Sequence, residues 1–246
     1  MLEGLKAAAT GMTAQQQRMD ALSNDIANVN TTGYKHERVA FGDLVSSAPG
    51  AGAGPGVVAG AGVAVRAAGR GTGQGALRVT DQPLDVAIQG EGYLQVKLPD
   101  GRTGLTRDGS LHVDARGRLT TSSGALLQPP VTLPIGVAAK EVVIQPDGTL
   151  HSPKGTPIGR MALVNVVSPA ALDDAGNGVY TTNAQSGPPR VAGTGTTLAQ
   201  GALEASNVDI ADAMVDLMDA QRSFQMASQA VRTQDQMLQI ANGLKT

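Results

Sequence analysis

IADAMVDLMDAQRSFQMASQAVRTQDQML, residues 210–238, places Ile210, Leu217, Phe224, Val231 and Leu238 at seven-residue intervals. Seven residues are close to two helical turns, so such a repeat keeps one apolar stripe on one side of a helix, the geometry of a coiled coil. No Pro or Gly interrupts the chain from Ile210 to Asn242. Ser206-Asn207-Val208-Asp209 just before it offers an N-cap and an acid where the helix dipole favours negative charge. The other end repeats the pattern with Leu5, Met12, Met19 and Ile26, inside a Pro-free run from Leu2 to about Val29. That run would make a helix roughly 40 Å long.

Each stripe has a companion row that turns polar: Leu2, Ala9, Gln16 and Ser23 at the start, Met214, Gln221, Ser228 and Asp235 at the finish. Ala213, Ala220, Ala227 and Ala241 line a flank that would allow close helix approach. The expectation is a mixed α and β protein, with long N- and C-terminal coiled-coil helices packed together and a central all-β domain. A monomeric helical hairpin is the plainer alternative. Polar residues in the seam would bury little apolar area in such a hairpin, which favours a role in setting register among many copies.

Outward from the helices, Asn28-Val29-Asn30-Thr31-Thr32-Gly33 should end the first one, because Asn and Gly accept the left-handed backbone that stops helices. Asn28, Gly33, Ser206 and Asn207 are therefore expected to set helix ends. Tyr34 to Leu44 looks extended. From Ala48 to Gly75 the chain is rich in Gly and Ala, and reads either as a flexible linker or as a segment that orders against neighbouring subunits. Between Ala76 and Gln200, short apolar runs such as Leu84–Ile88, Tyr93–Val96 and Val142–Ile144 alternate with turns. Asp100-Gly101, Asp108-Gly109 and Asp147-Gly148 suit tight hairpins. The resulting division is 1–44 helix and extended segment, 45–75 linker, 76–200 β domain and 201–246 helix.

Composition narrows the function. The 246 residues contain no Cys and no Trp, aromatics are 2%, and the formal net charge is −2. Disulfides and thiolate metal sites are excluded, no basic field offers itself to nucleic acid, and few rings are present for stacking on bases or sugars. His36, His112 and His151 lack ligand spacing, and Gly71-Thr72-Gly73-Gln74-Gly75 precedes a strand-like run rather than the helix a nucleotide loop requires. Neither a cofactor, a metal nor a small-molecule substrate is implied. The acid in Met1-Leu2-Glu3 and the early polar residues do not make a cleaved secretion signal.

Ser23-Asn24-Asp25-Ile26-Ala27-Asn28-Val29-Asn30-Thr31-Thr32-Gly33-Tyr34-Lys35 resembles the N-terminal signature of bacterial flagellar rod and hook proteins. Glu204-Ala205-Ser206-Asn207-Val208-Asp209, with Gln221-Arg222-Ser223-Phe224, resembles their C-terminal one. Leu84–Ile88, Gly90-Glu91-Gly92-Tyr93 and Thr106-Arg107-Asp108-Gly109-Ser110 are similar to the rod subgroup, the distal rod type first and the proximal type second. The resemblance marks Asn24, Asn28, Thr32, Gly33, Tyr34, Ser206, Asn207, Gln221 and Arg222 as motif and helix-end positions. It implies a non-enzymatic subunit of the basal-body rod in the cell envelope, exported without a cleaved signal, self-assembling as a helical polymer and meeting other rod and hook proteins and the surrounding rings. The competing function, from another class, is a β-domain wall-polysaccharide binder or hydrolase with helical oligomerisation arms, in which carboxylates such as Asp85, Glu91, Asp100 and Asp108 would pair.

Overall fold

Uninterrupted runs of good helix formers become α1 (Leu2–Ala27) and α2 (Ile210–Gly243). The computed structural model describes residues 2–46, 59–134, 136–193 and 195–243. The fold is mixed α and β, and the chain divides into two compact units. One comprises Met1–Ala27, Glu37–Ala68 and Asp209–Thr246, and the other Asn28–His36 and Gly69–Val208. The β unit draws in short segments from beside both helices.

In the helical unit α1 and α2 pack antiparallel. Arg18 Nη2 meets Asp216 Oδ1 at 2.8 Å, and Gly4 lies beside the Gln234 side chain. The residues buried most completely on the helices are Ala14 and Asp25 of α1 and Ala213 and Ala220 of α2. Leu5, Met12, Met19, Ile26, Leu217, Phe224 and Val231 are half-buried around that contact, whereas Ile210 is exposed. The side chain of Leu238 lies outside the described residues. The polar companion rows mostly face out: Ala9, Gln16, Ser23, Met214, Gln221 and Asp235 are exposed. The tight contact is the alanine flank, since small side chains let two helix backbones approach.

Strands β1 (Glu37–Ser46) and β2 (Ala59–Arg70) form a two-stranded ribbon, so the latter part of the Gly/Ala tract is strand rather than linker. Residues 48–58 of that tract lie outside the described residues. The ribbon is tied to α1. Glu37 N donates to the buried Asp25 carboxylate at 3.1 Å, and Val63 N to Thr10 Oγ1 at 3.2 Å. A Cβ on Gly62 would fall 2.2 Å from that Thr10 oxygen, so only glycine allows the approach.

The β unit is built from short antiparallel strands, among them β3 (Leu77–Val79), β4 (Val86–Gln89), β5 (Tyr93–Lys97) and β6 (Thr103–Thr106). Strand alternation splits its interior in two. Leu94 and Val96 of β5 join Val86, Ile88, Leu127 and Leu150 in one core, while Tyr93 turns to the other with Leu105, Val164 and Tyr180. Turns at Asp100-Gly101 and Asp147-Gly148 carry Gly φ of +87°, as the hairpin chemistry requires.

Asp108-Gly109 departs from the hairpin expectation. Its Asp is buried and accepts hydrogen bonds from Thr32 Oγ1 at 2.8 Å, Ser110 N at 3.0 Å and Ser122 Oγ at 2.6 Å. Its Gly passes so close to β4 that a Cβ would fall 1.7 Å from Val86 O. Gly109→Ala should therefore cost about 3 kcal/mol by forcing apart a packed core. Denaturant melting followed by tyrosine fluorescence tests this, and an unchanged midpoint would refute the close-packing account.

Candidate functional site: a buried charge node

Antiparallel pairing with β3 places the strand Ala202–Glu204 so that Glu204, opposite Leu77, points into the β unit. Its carboxylate is held from two sides. Lys35 Nζ donates to Oε1 at 2.5 Å and Arg107 Nε to Oε2 at 2.8 Å. Side-chain exposure is 3% for Lys35, 4% for Arg107 and zero for Glu204, so all three charges have lost their water. Burial of this kind is tolerable only when the remaining donors and acceptors are also matched. Lys35 Nζ also donates to Gly73 O at 2.6 Å, Arg107 Nη2 to Gly90 O at 2.9 Å, and Gly75 N to Glu204 Oε1 at 2.9 Å.

The glycine run 71–75 is thus a cradle rather than a phosphate loop. A Cβ on Gly75 would lie 1.9 Å from Ala205 O, and one on Gly71 2.0 Å from the His36 ring. Around the cradle the backbone is stapled. Gly33 N donates to Glu204 O at 2.8 Å, His36 N to Asn207 Oδ1 at 2.9 Å, and Asn207 Nδ2 to Gly73 O at 3.1 Å. Asn207 therefore does not cap α2. That role belongs to Asp209, whose Oδ1 accepts from Ala211 N at 2.8 Å. Gly33, with φ of +68°, lies six residues beyond the end of α1, and its Cα faces the Arg107 backbone where a Cβ would be 2.6 Å away.

Cation–π and ring contacts extend the node. The Arg107 guanidinium sits 5.8 Å from the Tyr93 ring centroid, and Tyr93 meets Tyr180 edge-on at 6.2 Å. Arg70 lies 5.0 Å over Tyr180, pairs with Asp174 at 2.6 Å and donates to Lys35 O at 3.2 Å. Burial pulls the Lys35 ammonium below its ordinary pKa, against the opposing pull of Glu204. Burial pushes the Tyr93 phenol up to about 12, and Tyr180 upward as well.

Of the motif residues, Thr32, Gly33, Tyr34 and Asn207 meet at or beside the node, while Asn24, Gln221 and Arg222 lie on exposed helix faces. Asn28 and Ser206 act in local turns, accepting from Thr31 N at 3.0 Å and Val208 N at 3.2 Å. Lys35, Arg107 and Glu204 each stand in a quoted motif without an assigned role. Each motif carries a second charged residue as well, Asp25, Asp108 and Asp209, so no local signal singled out the three that meet.

Three of the four carboxylates considered for catalysis serve the fold, and the fourth, Glu91, is exposed. Asp85 accepts from Thr80 Oγ1 at 2.6 Å and Asp100 from Arg102 Nε at 2.6 Å, while Asp108 has its three donors. A cleft of about 620 Å³ beside Leu163–Val164 is mainly apolar, and its one carboxylate, Asp147, is engaged by Thr149 N. Among the described residues no His, Asp and Glu cluster is placed to hold a metal, and no helix is long and apolar enough to cross a membrane.

The three segments that converge on Glu204 fall at matches to known families. Residues 5–35 match the flagella basal body rod protein family, 87–152 the flagellar hook protein FlgE/F/G D1 domain, and 199–244 the flagellar basal body rod FlgEFG protein C-terminal family. The chain is 36% identical over 264 residues to the flagellar basal-body rod protein FlgG of Caulobacter vibrioides, covering all of both chains. It is 36% identical to that of Borreliella burgdorferi, covering all of this chain and 99% of the relative. It is 35% identical to that of Buchnera aphidicola subsp. Baizongia pistaciae, covering 97% and 98%.

The chain belongs to the flagellar basal-body rod family. It is a structural rod subunit of the basal body and not an enzyme. The node is accordingly architectural: one carboxylate joins the N-terminal, central and C-terminal signatures of a rod protein.

Glu204→Ala should destabilise the β unit by about 3–5 kcal/mol, because it strands two buried cations. Lys35→Met, which keeps the Arg107–Glu204 pair, should cost clearly less. Urea melts followed by tyrosine fluorescence would show the order, and an equal cost for both would contradict the node's charge logic. Tyr93 gives a pH test. Its phenol titrates near 10 when unfolded and about 12 when folded, so its contribution is complete below pH 10 and is lost as pH rises toward 12. Tyr93→Phe should shift alkaline unfolding to higher pH, and an unmoved profile would exclude the phenol as its cause.

Proposed function

We propose that the subunit polymerises helically through its terminal helices, building the torque-transmitting axial shaft with other copies and with neighbouring rod and hook proteins. The observation that carries this is the one-sidedness of α2. Its inner face, through Ala213, Leu217, Ala220, Phe224 and Val231, is turned to α1. Its outer side leaves Met214, Val215, Met218, Met226, Met237 and Ile240 about half to two-thirds exposed. A row of large apolar side chains on a helix is costly to leave in water and marks a surface awaiting a partner. Methionine's flexible side chain suits contacts that differ slightly from one neighbour to the next.

In this reading Leu5, Met12, Met19, Ile26, Ile210, Leu217, Phe224, Val231 and Leu238 form the coiled-coil seam of the assembled shaft. The outer methionine side makes contact with adjoining copies. Export through the flagellar apparatus without a cleaved signal, residence in the rod within the envelope, and contacts with the surrounding rings complete the proposal. Family membership and full-length similarity to FlgG rod proteins support it.

Met218→Asp/Met226→Asp alters exposed positions, so the free subunit should keep its stability within about 0.5 kcal/mol per site. The same substitutions should abolish rod formation and swimming when this is the cell's only copy. Leu217→Asp, which disturbs the α1–α2 contact, should also block assembly while leaving the β unit folded. Electron microscopy of basal bodies and motility assays check both variants, and normal rods from Met218→Asp/Met226→Asp would remove the outer face from the interface.

A further inference from the structure

The outer side of α2 carries a cation within its apolar row. Val215, Met218, Arg222 and Met226 follow one another at three- and four-residue intervals, so they share one side of the helix. Arg222 is exposed there and makes no ion pair among the described residues. A face that is to be covered by apolar surface tolerates a guanidinium only where acceptors receive its donors.

The same compact unit offers such acceptors on another face. Between α1 and the β1–β2 ribbon lies a cavity of about 410 Å³, with Gln17, Asp20 and Ala21 on the helix side and Glu37, Val39 and Val65 on the ribbon side. Asp20 is exposed and Glu37 half-buried, and neither carboxylate is paired with a cation among the described residues. Behind Glu37 the buried Asp25 accepts its amide, so a third carboxylate backs this wall. Ala21, Val39 and Val65 give a long methylene stem an apolar wall, and the two open carboxylates give its charged head acceptors. Arg222 cannot fill the cavity of its own chain. It stands on the side of α2 turned away from α1, across a helix roughly 10 Å thick.

We infer that the outer face of α2 docks on a second copy of this chain, with Arg222 seated between that copy's Asp20 and Glu37. The inference rests on the polymer reading above and names its contact. Cation and cavity lie on different faces of one unit, so each copy gives through one and receives through the other. Such head-to-tail contacts build open helical filaments when their rotation does not close a ring. The apolar row contributes burial, and the charge pair fixes where along the neighbour's α1 that row comes to rest, since interfacial charges set register and reject misplaced partners.

Charge reversal in a cell whose only copy is the variant tests it, with rods counted in electron micrographs of basal bodies. Arg222→Glu and Asp20→Arg/Glu37→Arg should each lower the number of rods about 10-fold or more, the scale of a coupled interfacial charge pair. The triple variant restores opposite charges at the same contact and should recover rods by a similar factor. Urea melts of the free subunits show whether each variant folds. If the reversals unfold the ribbon, Asp20→Asn/Glu37→Gln keeps the shape of the cavity, and adding Arg222→Gln to it should cost no further rods.

Normal rods from Arg222→Glu would overturn the inference. So would a folded triple variant as deficient as its parents, or neutral substitutions whose losses add. Normal rods from Met218→Asp/Met226→Asp would instead defeat the outer-face reading on which the inference rests. Rods lost in that variant but kept in Arg222→Glu would leave the reading standing and remove only the Arg222 contact.

Discussion

One carboxylate between two cations organises the β unit. Lys35 and Glu204 are 169 residues apart in sequence, and Arg107 and Glu204 are 97 apart. Interior charges are unforgiving: each needs its partners in place, and a chain that misplaces one retains an uncompensated ion in a dry site. That constraint explains the company the node keeps. Glycine at 71 and 75 lets backbone come close enough to donate and accept, and Asn207 supplies both a donor and an acceptor where two strands of chain must be joined. An apolar core of the same size would hold the segments together with less demand on their register. The charged node permits one alignment, in which N-terminal, central and C-terminal motifs meet.

The helices and much of the β unit were legible in the sequence because their signals are local. A seven-residue repeat or a strand of alternating faces can be recognised within a dozen residues, and α2 runs from Ile210 as the repeat and its preceding acid indicate. Which side of the helix is closed was less legible. The heptad row pointed to the large residues, yet the tight contact uses Ala213 and Ala220, since closeness of backbones favours the smallest side chains. The node was invisible for a different reason. Nothing near Glu204 in sequence says that its partners are Lys35 and Arg107, and Asp108-Gly109 looks like a hairpin turn until the approach of Val86 is known.

The Gly/Ala tract shows the same limit. Composition treats its glycines as a single class, a source of chain freedom. In the fold they do separate jobs: Gly62 makes room for Thr10, Gly71 for His36 and Gly75 for Ala205. Each is required by a close approach, and the tract is glycine-rich there because several such approaches fall in succession. Flexibility is a property glycine allows, and ordered contacts can use the missing Cβ just as well.

The two helices of the helical unit differ in what covers them. α1 has α2 on one side and the β1–β2 ribbon tied to it through Asp25 and Thr10. Among the described elements α2 packs chiefly on α1, and its outer face keeps Met226 and Ile240 about 65% exposed. Burying side chains of this size is worth about 1.5–3 kcal/mol each, so an uncovered row is a store of free energy that only another molecule can release. A node that is satisfied within one chain and a helix that is not are complementary properties in the polymer subunit proposed above. The first would give every copy the same shape, and the second would give each copy a reason to join the next.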